Sequence, residues 1–79
     1  MTADTEHKLQ AIVRSVLQLP ADQDVTRASQ LSVETWDSLA HVSLMLALEG
    51  EFGVTIDVAD QLELTSFSAI RLYLEQATA

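Results

Sequence analysis

Seventy-nine residues, 48% apolar and without cysteine, make one domain (residues 1–79) held together by packing, with disulfides excluded. The two histidines, His7 and His41, are too few for a zinc staple, and no metal site is expected. Four basic residues against twelve acidic ones give a net charge of −8, and no Lys or Arg falls between Arg27 and Arg71, so nucleic acid and anionic membrane are poor partners.

No apolar run approaches a membrane span, and MTADTEHK lacks the charged-then-apolar pattern of a signal peptide, so the expected location is cytoplasmic. The basic-free span holds Glu34, Asp37, Glu49, Glu51, Asp57, Asp60 and Glu63. A partner with a basic patch is steered toward such a surface. The plainer reading is that these acids keep the protein soluble.

Residues 1–4 are expected to fray. Asp4 or Thr5 can cap a first helix, with Glu6 favourable in its first turn. Leu9, Ile12, Val13, Val16 and Leu17 recur at i, i+3, i+4, i+7 and i+8, one apolar stripe with Lys8, Gln10, Arg14 and Gln18 off it. Pro20 is expected to end this helix, since the residue before a proline is pushed out of helical geometry. From Pro20 to Thr35 no period persists. Asp22, Asp24, Thr26 and Ser29 form turns, and Val25, Leu31 and Val33 are the expected points of attachment to a core. So long a connection is unusual in a compact domain. It is either lid-like or contains a short helical turn near Asp24–Ser29. Trp36 closes it as a hydrophobic plug, or as a wall beside Ser38.

A helix from Ser38 to Phe52 follows. At about 100° per residue, Ala40, Leu44, Met45, Ala47, Leu48 and Phe52 share one side, with His41 at its edge. Leu39, Val42, Ser43, Leu46, Glu49 and Gly50 share the other. Three of those are large and apolar where a simple amphipathic helix is polar. The pattern therefore predicts a second contact surface next to Ser38. Gly53 suits the left-handed residue that stops a helix. Val54 to Ile56 form a short link. Asp57 caps a brief helix to about Glu63, with Val58, Ala59 and Leu62 inward and Asp57, Asp60 and Glu63 outward. These acids lack the ligand spacing of a calcium loop. Thr65 or Ser66 caps a last helix with the stripe Phe67, Ile70, Tyr73, Leu74 and Ala77. The fold class is all-α: a bundle of three main helices and a short third one, with a long loop between the first two.

Asp37, Ser38 and His41 invite a hydrolase reading, but Asp37 is beside the serine and not behind the histidine, and no G-x-S-x-G elbow is present. The sharper reading is Ser38 as a modification site. It opens a helix, where the dipole and free N–H groups favour an attached phosphate. A plain N-cap explains the serine but not the apolar outer face.

The Asp37-Ser38-Leu39 segment resembles the start of the second helix in acyl carrier proteins and the related peptidyl carrier domains. In that family the serine receives a 4′-phosphopantetheine arm. Ala47-Leu48-Glu49-Gly50-Glu51-Phe52-Gly53 is similar to the family's A-L-E-x-x-F-G run. Ile56, Asp57, the short third helix, the capped last helix and the long first loop all fall where the family has them, so the likeness covers the whole chain.

The resemblance implies a four-helix acyl-carrier-like bundle, a monomer, that is not an enzyme. It implies a covalent 4′-phosphopantetheine, drawn from coenzyme A, on Ser38 between Asp37 and Leu39. Acyl groups then travel as thioesters, as in fatty-acid or polyketide biosynthesis. The implied partners are a phosphopantetheinyl transferase, an acyl- or aminoacyl-loading ligase, and acyltransferases or synthases with basic patches. They would dock on Leu39, Val42, Leu46, Glu49 and Glu51. Ala40 and Ser43 stand where fatty-acid-synthesis carriers usually have acids, Trp36 replaces a small residue, and His41 lies near the family's acyl pocket. These departures point to a standalone carrier of a specialised secondary-metabolite or cell-surface pathway, with short or polar cargo. An aminoacyl or peptidyl carrier is the alternative. A small helical adaptor without a prosthetic group, using the Leu39/Val42/Leu46 face, is the more distant one.

Overall fold

The computed structural model describes residues 2–77; Met1, part of the stretch expected to fray, and residues 78–79 lie outside the described residues. Four α-helices follow in order: α1 (Ala3–Val16), α2 (Ser38–Phe52), α3 (Val58–Gln61) and α4 (Phe67–Ala77), with one 3-10 turn at Val25–Arg27 between the first two. The all-α bundle expected from the sequence is the fold observed. Among the described residues no helix is long and apolar enough to cross a membrane.

Neither Asp4 nor Thr5 caps α1. Thr2 does, its hydroxyl accepting from Thr5 N at 3.2 Å. That start places both Asp4 and Glu6 in the first turn, against the positive end of the helix. Nor does Pro20 end α1. The helix stops at Val16, where Gln18 turns left-handed (φ 56°), Leu19 N donates to Arg14 O at 2.9 Å, and Gln18 N donates to Ser15 O at 3.3 Å. These are the paired bonds of a Schellman motif, with glutamine where glycine is usual.

The long loop is part of the core and not a lid. Val25, Ala28, Val33 and Trp36 are all buried with Leu9, Val13 and Leu17 of α1, Leu44, Met45 and Leu48 of α2, and Phe67, Ile70 and Leu74 of α4. Asp24 nucleates the 3-10 turn by accepting from the Thr26 hydroxyl at 2.6 Å and from Thr26 N at 3.0 Å. Those two bonds, the hydroxyl first, hold the Asp24 carboxyl below its usual range. Leu31, expected to be an anchor, is instead fully exposed. A tight turn closed by Ser32 N on Ser29 O puts residues 30 and 31 at its outer tip. Beside it, Gln30 N donates to Thr65 O and Phe67 N to Ala28 O, so the loop satisfies an otherwise unpaired first-turn donor of α4. At its far end the Thr35 hydroxyl donates to Leu17 O at 2.6 Å, joining the loop's exit to its entrance.

α2 has the expected limits and ends on Gly53 at φ 65°. Its Leu44, Met45 and Leu48 face the core, while Leu39, Val42 and Leu46 are 52–78% exposed, as the two-sided pattern requires. The short third helix forms, but without the inward face expected of it. Val58 and Leu62, assigned to the interior, are each 73% exposed, and no residue of the helix is buried. One turn of helix gives too few positions for a period to define a face. Burial comes from the residues flanking it, Ile56 and Leu64. Ser66 is the cap of α4, accepting from Ala69 N at 3.1 Å, and Phe67, Ile70 and Leu74 form its buried stripe, with Ala77 exposed.

Two helix ends rest on left-handed residues of opposite suitability. Gly53→Ala should lower unfolding stability by about 1–2 kcal/mol, and Gln18→Gly should raise it by up to about 1 kcal/mol, both read by urea denaturation. Asp24, with its lowered pKa, contributes fully above the ordinary carboxylate range and loses that contribution as pH falls through the lowered value. Asp24→Asn should therefore flatten the acid limb of the stability–pH curve.

Candidate functional site

The start of α2 is built so that capping and exposure fall to different residues. Asp37 is the N-cap, its Oδ1 accepting from Ala40 N at 2.8 Å. Ser38 is the first helical residue, exposed, and among the described residues nothing hydrogen-bonds its hydroxyl. By contrast Ser29 and Ser32 bond each other, and Ser66 is a cap. The backbone N–H groups of Ser38 and Leu39 also have no partner among the described residues. An unengaged hydroxyl thus stands beside two free donors at the positive end of a 15-residue helix.

Ser38 borders a groove of about 420 Å³ between α2 and α3. Val42, Val58 and Leu62 give it apolar walls, and Gln30, His41 and Gln61 give it polar ones. Sequence reasoning missed Val58 and Leu62, because a four-residue helix carries no periodic signal.

His41 has two partners. Trp36 Nε1 donates to His41 Nδ1 at 3.0 Å, and His41 Nε2 lies 2.7 Å from Gln61 O. An indole N–H only donates and a carbonyl only accepts, so Nδ1 is the accepting nitrogen and Nε2 the donating one. The Trp36 and His41 rings also stack, with centroids 6.2 Å apart. Beyond Gln61 the bonds continue. Gln61 Nε2 donates to Ile56 O at 3.0 Å, and Ile56 N donates to Glu49 Oε2 at 2.8 Å. α3 is thereby tied to α2 at His41 and at Glu49.

This geometry does not fit a hydrolase. Both ring nitrogens of His41 are engaged elsewhere, and Asp37 is occupied as a cap. Ser38 has neither base nor orienting acid. Trp36, 3% exposed, is the plug and not a wall open to solvent. Two predicted docking acids are also in internal use. Glu49 holds Ile56, and Glu51 pairs with Lys8 Nζ at 2.8 Å. Asp57 and Glu63, on either side of α3, are exposed and have no cationic partner among the described residues.

Residues 7–74 match the family described as "Phosphopantetheine attachment site". The chain belongs to that family. A covalently held phosphopantetheine goes with membership, and the family is one of carriers and not of catalysts. Its relatives include Acyl carrier protein 4, chloroplastic, of Arabidopsis thaliana, 34% identical over 64 residues that cover 81% of this chain and 47% of that protein. Acyl carrier protein 1, chloroplastic, of Casuarina glauca is 39% identical over 54 residues, 68% of this chain and 40% of that protein. The chain thus spans less than half the length of these two relatives. The residues present fit the group of the phosphopantetheine-attachment family. A phosphodiester on the Ser38 oxygen would meet the free N–H groups and dipole of α2, and no internal bond has to break to release that hydroxyl.

Because Asp37 caps and Ser38 does not, the two should separate in stability. Asp37→Ala should cost about 1 kcal/mol, with Asp37→Ser restoring most of it, while Ser38→Ala changes stability by less than about 0.5 kcal/mol. Chemical denaturation of the three variants checks this.

Proposed function

We propose that the chain is an acyl carrier protein and that Ser38 is its attachment site for 4′-phosphopantetheine from coenzyme A. The observation that carries this reading is the unengaged Ser38 hydroxyl at the start of α2, inside a family match that runs from α1 to α4. Ser38 Oγ forms a phosphoester bond to the pantetheine-bearing phosphorus of coenzyme A. The pyrophosphate bond breaks, adenosine 3′,5′-bisphosphate leaves, and the serine proton passes to a base of the transferase. The bound group supplies a thiol on which acyl cargo is held as a thioester, in keeping with a chain that has no cysteine.

The rest of the chain presents that serine. Leu39, Val42 and Leu46 are exposed on α2, and Val58 and Leu62 are exposed on α3 across the groove. They form an apolar docking face with Asp57 and Glu63 at its border. Basic patches on a phosphopantetheinyl transferase, a loading ligase and downstream acyltransferases or synthases complement it. Glu49 and Glu51 contribute less than their charge implies, since each already has a partner. The relatives are named as acyl carriers, which favours acyl over aminoacyl cargo. Neutral Ala40 and Ser43 on α2 support a dedicated partner set in a specialised pathway.

Incubation with coenzyme A and a broad-specificity phosphopantetheinyl transferase should add the mass of one phosphopantetheine, and Ser38→Ala should abolish the gain. A folded protein that gains no mass leaves the adaptor reading instead. Leu46→Ala should slow acyl transfer severalfold with stability changed by less than about 0.5 kcal/mol; loss of the fold would place Leu46 in the core.

A further inference from the structure

The groove beside Ser38 has a floor held shut by hydrogen bonds. His41 lines the groove on one side and stacks on the buried Trp36 on the other. Its Nε2–H holds the Gln61 carbonyl of α3 at 2.7 Å, and its Nδ1 is the partner of the buried indole N–H at 3.0 Å. An acyl chain carried on an arm from Ser38 would enter the core through this groove by parting α3 from α2 and turning the His41 ring aside. That would break the bond to Gln61 and leave Trp36 Nε1–H unpartnered inside the core, a state that buried donors strongly disfavour.

We propose that His41, braced by Trp36 and Gln61, is a specificity-determining residue that keeps cargo in the open groove and so selects short acyl groups. The proposal rests on the carrier reading and adds the class of cargo. The groove, about 420 Å³ with Val42, Val58 and Leu62 as walls, is open to solvent and would be shared between the arm and the cargo it carries. Additional methylenes extend over the polar lip of Gln30 and Gln61 into water and gain nothing from burial. A chain that entered the core would bury each added methylene and stabilise the folded state in proportion.

Two readouts keep the proposals apart. The protein is loaded at Ser38 by the transferase from acetyl-, butanoyl-, octanoyl- and decanoyl-coenzyme A. Intact mass verifies each product, and thermal unfolding is then recorded. Wild-type Tm should not rise from butanoyl to decanoyl. His41→Leu, which removes both bonds at similar volume, should show a Tm that climbs with chain length. Trp36→Phe, which keeps the packing and removes the donor, should show a weaker climb. A wild-type Tm that rises steadily with length overturns the proposal while leaving the carrier reading standing. Flat profiles in both variants also overturn it, because His41 then excludes nothing. If no mass is gained at all, the carrier reading fails and the cargo proposal with it.

Discussion

The bond from His41 to the Gln61 carbonyl is the interaction on which the rest of the site depends. α3 is four residues long and buries none of them. So short a helix does not persist alone, because fixing its first turn costs more than one internal bond returns. It is held from outside, by the run of bonds from Trp36 through His41, Gln61 and Ile56 to Glu49. The two anchors on α2 are eight residues apart, a little over two turns, so they hold α3 from points about 80° apart around that helix. In a partly buried setting such bonds reinforce one another. Without them Val58 and Leu62 have no fixed place, and the groove has one wall.

The same economy of roles governs the start of α2. A helix start needs a cap, and serine is a good one. Here the neighbouring aspartate takes that role, and the serine hydroxyl is left unengaged. The helix that follows is apolar on both sides because it serves two surfaces. Leu44, Met45 and Leu48 close the core, and Leu39, Val42 and Leu46 meet solvent. The cost of exposing apolar residues is borne at one edge of the molecule, next to the serine.

Much of this was legible in the sequence, for reasons of length. α2 is long enough for its period to divide core from surface, and Asp37 and Gly53 mark its ends with residue types suited to those positions. Ser38 was legible because it opens that helix. What was not legible depends on single contacts. Thr2, Asp4 and Thr5 all make acceptable caps, and only the fold selects Thr2. Pro20 looks like a stop, yet the left-handed Gln18 acts first, a conformation glutamine does not advertise. Leu31 follows the pattern of an anchor but sits at the tip of a serine-closed turn. The role of His41 rests on a backbone carbonyl twenty residues away, which leaves no mark on spacing or composition.

The Thr35–Leu17 bond has a consequence for how such a chain diversifies. It pins the two ends of the long loop together just before the start of α2. Doubling the length of a flexible loop with fixed ends costs only about 0.6 kcal/mol in closure entropy. The exposed residues 21–23 can therefore gain, lose or exchange neighbours over evolutionary time without displacing Asp37 or Ser38. Inheritance is free to remodel this connection while the exposed hydroxyl at the start of α2 stays where the fold places it.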